Sequence, residues 1–213
     1  MPQIEKVYRF IVENYRENEP IFLSDLVIND VKDVSVRQQV KKLTEEGRLR
    51  RYATGIYFLP KESMFKFGST LSINEVINKK YIFDGKSRCG YYTGLSFANS
   101  IGLTTQNPAV VEVCSNKATT DYREIEIGSF RIELRKPYVT ISDKNVAALQ
   151  FLDLMKDVSK LSELEGAGLK KKLRKFLNDK NLRFTDIKPY LMYYPDRIYK
   201  NMFEVGLLDG VDT

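Results

Sequence analysis

The chain has no histidine among its 213 residues. That excludes Ser-His-Asp and Cys-His catalysis, histidine proton shuttles and every zinc site that needs an imidazole. Cysteine is scarce. Cys89 and Cys114 stand far apart and outside any CxxC pair, so neither a metal knuckle nor a disulfide framework is written here, and a reducing compartment is expected. No stretch approaches the ~18 apolar residues of a membrane span. The opening MPQIEKVYRFIVENYREN is charged throughout and has no apolar leader core. Walker, GxGxxG and GxSxG patterns are also missing. The expectation is a cytoplasmic protein with no cofactor, no metal, no membrane partner and no enzymatic activity.

What is present is ordinary globular composition, 43% hydrophobic and 29% charged, with the aromatics supplied by tyrosine and phenylalanine. A chain of this length buries a sizeable core without staples. The net charge of +6 points to nucleic acid or an acidic partner, and its location decides more than its size.

In the first sixty residues Ile4, Val7, Tyr8, Ile11, Val12 and Tyr15 recur at helical spacing and predict helix one. Ile21-Phe22-Leu23 reads as a small strand, and Ser24 as the cap of a short second helix carrying Leu26 and Val27. Ser35 with Gln38 reads as a capping box opening a third helix, which Gly47 ends. In that helix Val36, Val40 and Leu43 share one sector, while Gln38, Lys41 and Lys42 face the opposite way with Arg37 on the flank. Two strand-like runs, Arg48 to Tyr52 and Ile56 to Leu59, then flank the turn Ala53-Thr54-Gly55.

Three helices followed by a basic hairpin is the layout of a winged helix-turn-helix, predicted over residues 1–62. Its last helix would enter the DNA major groove, where glutamine and arginine pair with base edges and lysine neutralises phosphates. The expected DNA-contacting residues are Ser35, Arg37, Gln38, Gln39, Lys41 and Lys42, with Arg48, Arg50, Arg51 and Thr54 on the wing. The blander alternative is a protein-interaction adaptor whose lysines merely solvate a helix.

Residues 63–213 read as a second domain, α+β to about residue 142 and helical after, joined through Pro60 to Ser69. Ser72 to Glu75 forms a capping box, and Tyr81-Ile82-Phe83 reads as a strand. Tyr91-Tyr92-Thr93-Gly94 reads as a turn into a helix whose first amides offer an anion site, and Gly102 stops that helix. Val110 to Cys114 is a strand, and Arg123 to Ile127 with Phe130 to Arg135 an antiparallel hairpin with one wet face. Asp121, Glu124, Glu126 and Glu133 only loosely imitate a nuclease site there, since charge on a half-exposed hairpin ordinarily keeps it soluble. Asp143 is the expected cap of a helix with the stripe Val146, Leu149, Leu152 and Met155, broken at Ser159 and again at Gly166 to Gly168. A basic amphipathic helix follows, with Leu169, Leu173, Phe176 and Leu177 on one side. Lys170, Lys171, Lys172, Arg174 and Lys175 occupy the rest. Pro189 and Pro195 open two short terminal helices.

The order of these elements, with the tract GYYTGLSFANSIGLTTQNP, then VVEVCSN and the hairpin EIEIGSFRIEL, resembles the AbiEi family of antitoxins. The similarity spans about residues 1–140, and Tyr91 to Leu95 with Gly102 to Gln106 is its most specific part. The resemblance implies an antitoxin of a type IV toxin-antitoxin system. Its winged helix would bind double-stranded DNA of its own promoter, and its second domain would counteract a nucleotidyltransferase toxin directly or indirectly. Tyr91, Tyr92, Thr93, Thr104 and Gln106, with Lys170, Lys171, Lys172, Arg174 and Lys175, are the expected partner surface. The plainer view makes the tyrosines packing aromatics and the lysines a solvated face.

Overall fold

The computed structural model describes residues 1–61 and 70–208 and shows a mixed α+β chain. It divides into two compact units, Met1–Lys79 with Ile127–Ser129, and Lys80–Glu126 with the chain from Phe130 onward. The predicted joint from Pro60 to Ser69 falls largely on residues 62–69, outside the described residues. The first unit runs on to Lys79 because that ammonium reaches back to the Glu19 carboxylate at 2.6 Å and the Pro20 carbonyl at 2.8 Å, and lies over the Tyr15 ring.

In the first unit, helix α1 (Gln3–Asn14) turns Val7 and Ile11 into the core, but Val12, expected in the same stripe, is 49% exposed. Strand β1 (Ile21–Phe22) follows. The predicted second helix is only a 3₁₀ turn, Leu23–Asp25, because the Ser24 hydroxyl donates to Asp25 at 3.0 Å instead of capping amides. Helix α2 (Asp33–Glu45) starts two residues before Ser35, with the Val36 amide already bonded to the Lys32 carbonyl, so Ser35 lies inside the helix and caps nothing. Strands β2 (Arg50–Ala53) and β3 (Ile56–Phe58) form the expected hairpin. The sheet order is β1-β3-β2, antiparallel, with a bulge between Arg51 and Ala53. Val7, Ile11, Ile21, Val40 and Leu43, each fully buried, hold helices to sheet. Helix α3 (Ile73–Ile77) carries the predicted capping box, Ser72 with Glu75.

From Asn78 to Ile82 the chain continues as a π-helical turn, which removes most of the strand expected at Tyr81 to Phe83. Only Phe83–Asp84 (β4) pairs with Ser87–Arg88 (β5). A four-stranded sheet, ordered β6-β7-β9-β8, organises the second unit: Gly90–Tyr92, Val110–Ser115, Phe130–Arg135 and Tyr122–Ile127. Tyr91 and Tyr92 are therefore strand residues paired with Cys114 and Val113, not a turn. Helix α4 (Gly94–Ser100) follows β6, and β7 runs parallel to β9.

After β9 the described chain is helical, as expected: α5 (Val146–Leu161), α6 (Gly166–Asp179), α7 (Phe184–Ile187), a 3₁₀ turn from Lys188 and α8 (Arg197–Glu204). Asn145, not Asp143, stands at the start of α5. The Asp143 carboxylate instead accepts the Arg88 amide, while the Asn145 side-chain Oδ1 accepts the Ser142 amide. The break expected at Ser159 is a kink at Asp157, and the helix runs on to Leu161. Helix α5 is buried over most of its girth, through Leu149, Phe151, Leu152, Leu154 and Met155, so it forms the spine of this core. Phe176 of α6 meets Phe97 edge-on at 5.3 Å and stacks on Phe151 at 6.3 Å. No helix among the described residues is long and apolar enough to cross a membrane.

Candidate nucleic-acid interface

Helix α2 is built as its pattern dictates. Val36, Val40 and Leu43 are buried, and turning them inward sets Arg37, Gln38, Lys41 and Lys42 outward, all exposed. Lys41 pairs loosely with Glu45 one turn on, at 3.8 Å. On the hairpin, Arg50, Arg51 and Thr54 are exposed, and the Arg51 guanidinium donates to the Ala53 carbonyl at 3.4 Å and the Thr54 hydroxyl at 3.2 Å, ordering the tip.

Three expected contacts change role. Gln39 is buried on the flank of the core side of α2, since it lies next to Leu43 around the helix, about 40° further round. Ser35 is half-buried. Arg48 is spent within the protein. Its guanidinium donates to both Glu5 oxygens, at 2.7 and 3.0 Å, and lies 3.7 Å over the Tyr8 ring. The hydrogen bond from Arg48 lowers the Glu5 pKa, so this clasp is complete above the ordinary carboxylate range and is lost as pH falls through the depressed value.

The expected partner residues of the second unit also separate. Tyr91 (1% exposed), Thr93 and Thr104 are buried, and Tyr92 is half-buried with burial pushing its hydroxyl pKa up to about 12. Only Gln106 of that group is exposed. The anion site expected at the start of α4 is filled by the chain itself: the Glu112 carboxylate accepts the Leu95 amide at 2.7 Å and occupies the space a Cβ on Gly94 would need. At φ +54° Gly94 also holds a backbone that other residues adopt only under strain. Thr104 and Thr105 donate to Glu163, which closes the loop after α4. On α6 the lysine face is open, with Lys171, Lys172, Arg174 and Lys175 exposed and Lys170 half-buried.

Sequence reasoning missed a buried polar cluster. Asp153 accepts from the Tyr91 hydroxyl at 2.8 Å and the Thr93 hydroxyl at 3.4 Å, and Lys156 stands 3.7 Å away. Burial raises the Asp153 pKa, opposed by Lys156 and the two hydroxyls. The available signal was one acid inside the apolar run Phe151 to Met155, at a buried register four residues after Leu149. Asp153 and Lys156 line a cleft of about 570 Å³ with Cys114, Tyr122, Arg135 and Tyr138. Two of its cations are matched from within: Arg135 lies 3.3 Å from Glu112 and 3.2 Å from Glu133, and Lys156 faces Asp153, while the exposed Lys136 also lines the cleft. Burial pushes the Cys114 thiol up to about 12, which keeps it protonated and unreactive. Glu124 and Glu126 lie on the exposed side of β8, and among the described residues no three Cys, Asp or Glu side chains converge to hold a metal.

The comparison with curated proteins found no match. A family of unknown function, DUF6088, matches residues 11–180, so the match runs through both compact units, and the chain belongs to that family.

Proposed function

We propose that this member of the DUF6088 family binds DNA sequence-specifically, represses its own operon and, as an antitoxin of a type IV toxin-antitoxin system, counteracts a nucleotidyltransferase toxin encoded beside it. The observation that carries the DNA half is the outward face of α2, where Arg37, Gln38, Lys41 and Lys42 stand exposed directly opposite the core stripe. The order α1, 3₁₀ turn, α2 and β2–β3 hairpin, with β1 completing the sheet, supports a winged helix-turn-helix whose middle helix is shortened to one turn. In that arrangement α2 enters the major groove and Arg50, Arg51 and Thr54 lie against the neighbouring backbone. The antitoxin half rests on the resemblance of about residues 1–140 to AbiEi antitoxins, most specific at Tyr91 to Leu95 and Gly102 to Gln106. Because Tyr91, Thr93 and Thr104 are buried, the toxin-facing surface is assigned to the open lysine face of α6.

The test is a titration of the full chain on its own upstream DNA and on a scrambled duplex at several salt concentrations. Gln38→Ala should weaken binding to the upstream DNA by about 5- to 150-fold, the value of one bidentate base contact, and leave the scrambled duplex nearly unaffected. Lys42→Ala should weaken both alike and flatten the salt slope by about one. Arg48→Met, which removes the Glu5 clasp, should lower thermal stability and leave the slope unchanged. Equal affinity for the two duplexes at every salt concentration rejects the DNA half. For the antitoxin half, co-expression with the toxin should restore growth. Reversing Lys171, Lys172 and Lys175 to glutamate should abolish that rescue, while rescue that survives the reversal removes α6 from the interface.

A further inference from the structure

Val34 is the misfit of the α2 surface. It is 66% exposed, and it stands at i to Arg37 (i+3), Gln38 (i+4) and Lys41 (i+7), in the middle of the outward face. Scattered exposed valines are normal on protein surfaces, and a β-branched residue here adds nothing to helix propensity. What separates Val34 is its setting, an apolar side chain in the first turn of the helix with a glutamine and an arginine directly above it. In helix-turn-helix docking the first turns of the reading helix are the ones that meet base edges. The major groove offers one apolar feature, the thymine C5-methyl group, whereas adenine and guanine offer the paired polar edges that glutamine and arginine take.

We propose that Val34 packs on the C5-methyl of a thymine in the recognised sequence, next to purines addressed by Gln38 and Arg37. This rests on the DNA-binding reading above and adds to it a sequence determinant that neither charge nor hydrogen bonding supplies. The residue is an anchor of specificity only, since it carries no charge to neutralise a phosphate.

The experiment replaces each thymine of the upstream DNA in turn by deoxyuridine, which deletes the methyl group and keeps every hydrogen bond. For the full chain, replacement of the contacted thymine should show a loss of about fourfold, the effect of exposing one buried methyl group. For Val34→Ala that same replacement should change nothing, while the variant remains folded because alanine is the better helix former. Val34→Ile should keep the sensitivity. Specific binding indifferent to every uracil, or a sensitive thymine that stays equally sensitive in Val34→Ala, overturns the assignment and leaves DNA recognition standing. Failure of the full chain to prefer its upstream DNA at all is a different result, which removes the DNA-binding reading and this assignment with it.

Discussion

Gly90→Ala is expected to destabilise the unit that begins at Lys80 by more than about 3 kcal/mol, beyond the usual cost of an added methyl group in a packed core. Gly90 opens β6, and its φ is not positive, so the residue is not there for a special turn. It is there for space. A Cβ at this position would run into the Tyr81 carbonyl oxygen and lie 2.9 Å from the Cys114 carbonyl oxygen. Both obstacles are backbone, and neither can rotate away. The Tyr81 carbonyl is fixed further by the Ser115 hydroxyl at 2.5 Å, while Cys89 and Asn116 tie the neighbouring turns together through their amides. Relieving the contact therefore means separating the π-helical turn from the β6–β7 pair. Hydrogen exchange of the Ile132 and Leu134 amides in β9 reads the result, and their protection should collapse in the variant. Gly128→Ala is the control. That turn has φ +62° but nothing within 4 Å of a Cβ, so the cost should be about 1 kcal/mol, from the backbone alone. Similar exchange in both variants would show that the close approach at Gly90 has slack.

This contrast also explains what could be seen in the sequence. Local chemistry was legible: Val36, Val40 and Leu43 gave the inward face of α2, and Ser72 with Glu75 gave the start of α3. The two hairpins were marked by Gly55 and Gly128 between alternating runs. Features that depend on distant partners were not legible. The strand β7 pairs in parallel with β9 rather than with β8, its neighbour in sequence, and no local pattern specifies that skip. Arg48 looked like a wing contact because its partner Glu5 lies 43 residues earlier. Tyr91 and Tyr92 looked like a turn because a three-residue strand that begins on Gly90 and stops two residues before Gly94 carries too little periodicity to distinguish the two. The outward face of the candidate interface was legible for the same reason as the core of α2, since fixing one side of a helix fixes the other. Gln39 failed as a contact because it lies on the buried flank, where a long side chain passes for exposed in sequence.

Asp153→Ala is expected to cost about 3–5 kcal/mol, the range for breaking a buried charge pair from one side. The loss has two parts. The Tyr91 hydroxyl, on a side chain only 1% exposed, is left without its acceptor at 2.8 Å, and Lys156 loses its counter-charge. Asp153→Asn separates charge from hydrogen bonding, because the amide still accepts from Tyr91 and cannot ionise. Burial holds the carboxyl pKa above its ordinary 3.8, so the folded chain binds this proton more tightly than the unfolded chain does. The contribution is full below the unfolded value and is lost as pH rises through the raised folded value. The wild type should thus lose stability relative to Asp153→Asn between about pH 4 and the raised value, and the gap should then stay constant. Glu5, Glu19 and Glu163, whose pKa values are lowered, push the absolute stability of both proteins the other way, and their effect cancels in the difference. Urea unfolding of the pair at several pH values from 4 to 8 measures it. A difference that does not change with pH would mean that Asp153 ionises as easily in the folded chain as in the unfolded one. The Lys156 charge and the two hydroxyls would then fully offset burial, and the cluster would be a strong ion pair rather than a polar group held at a cost for the sake of a fixed Tyr91.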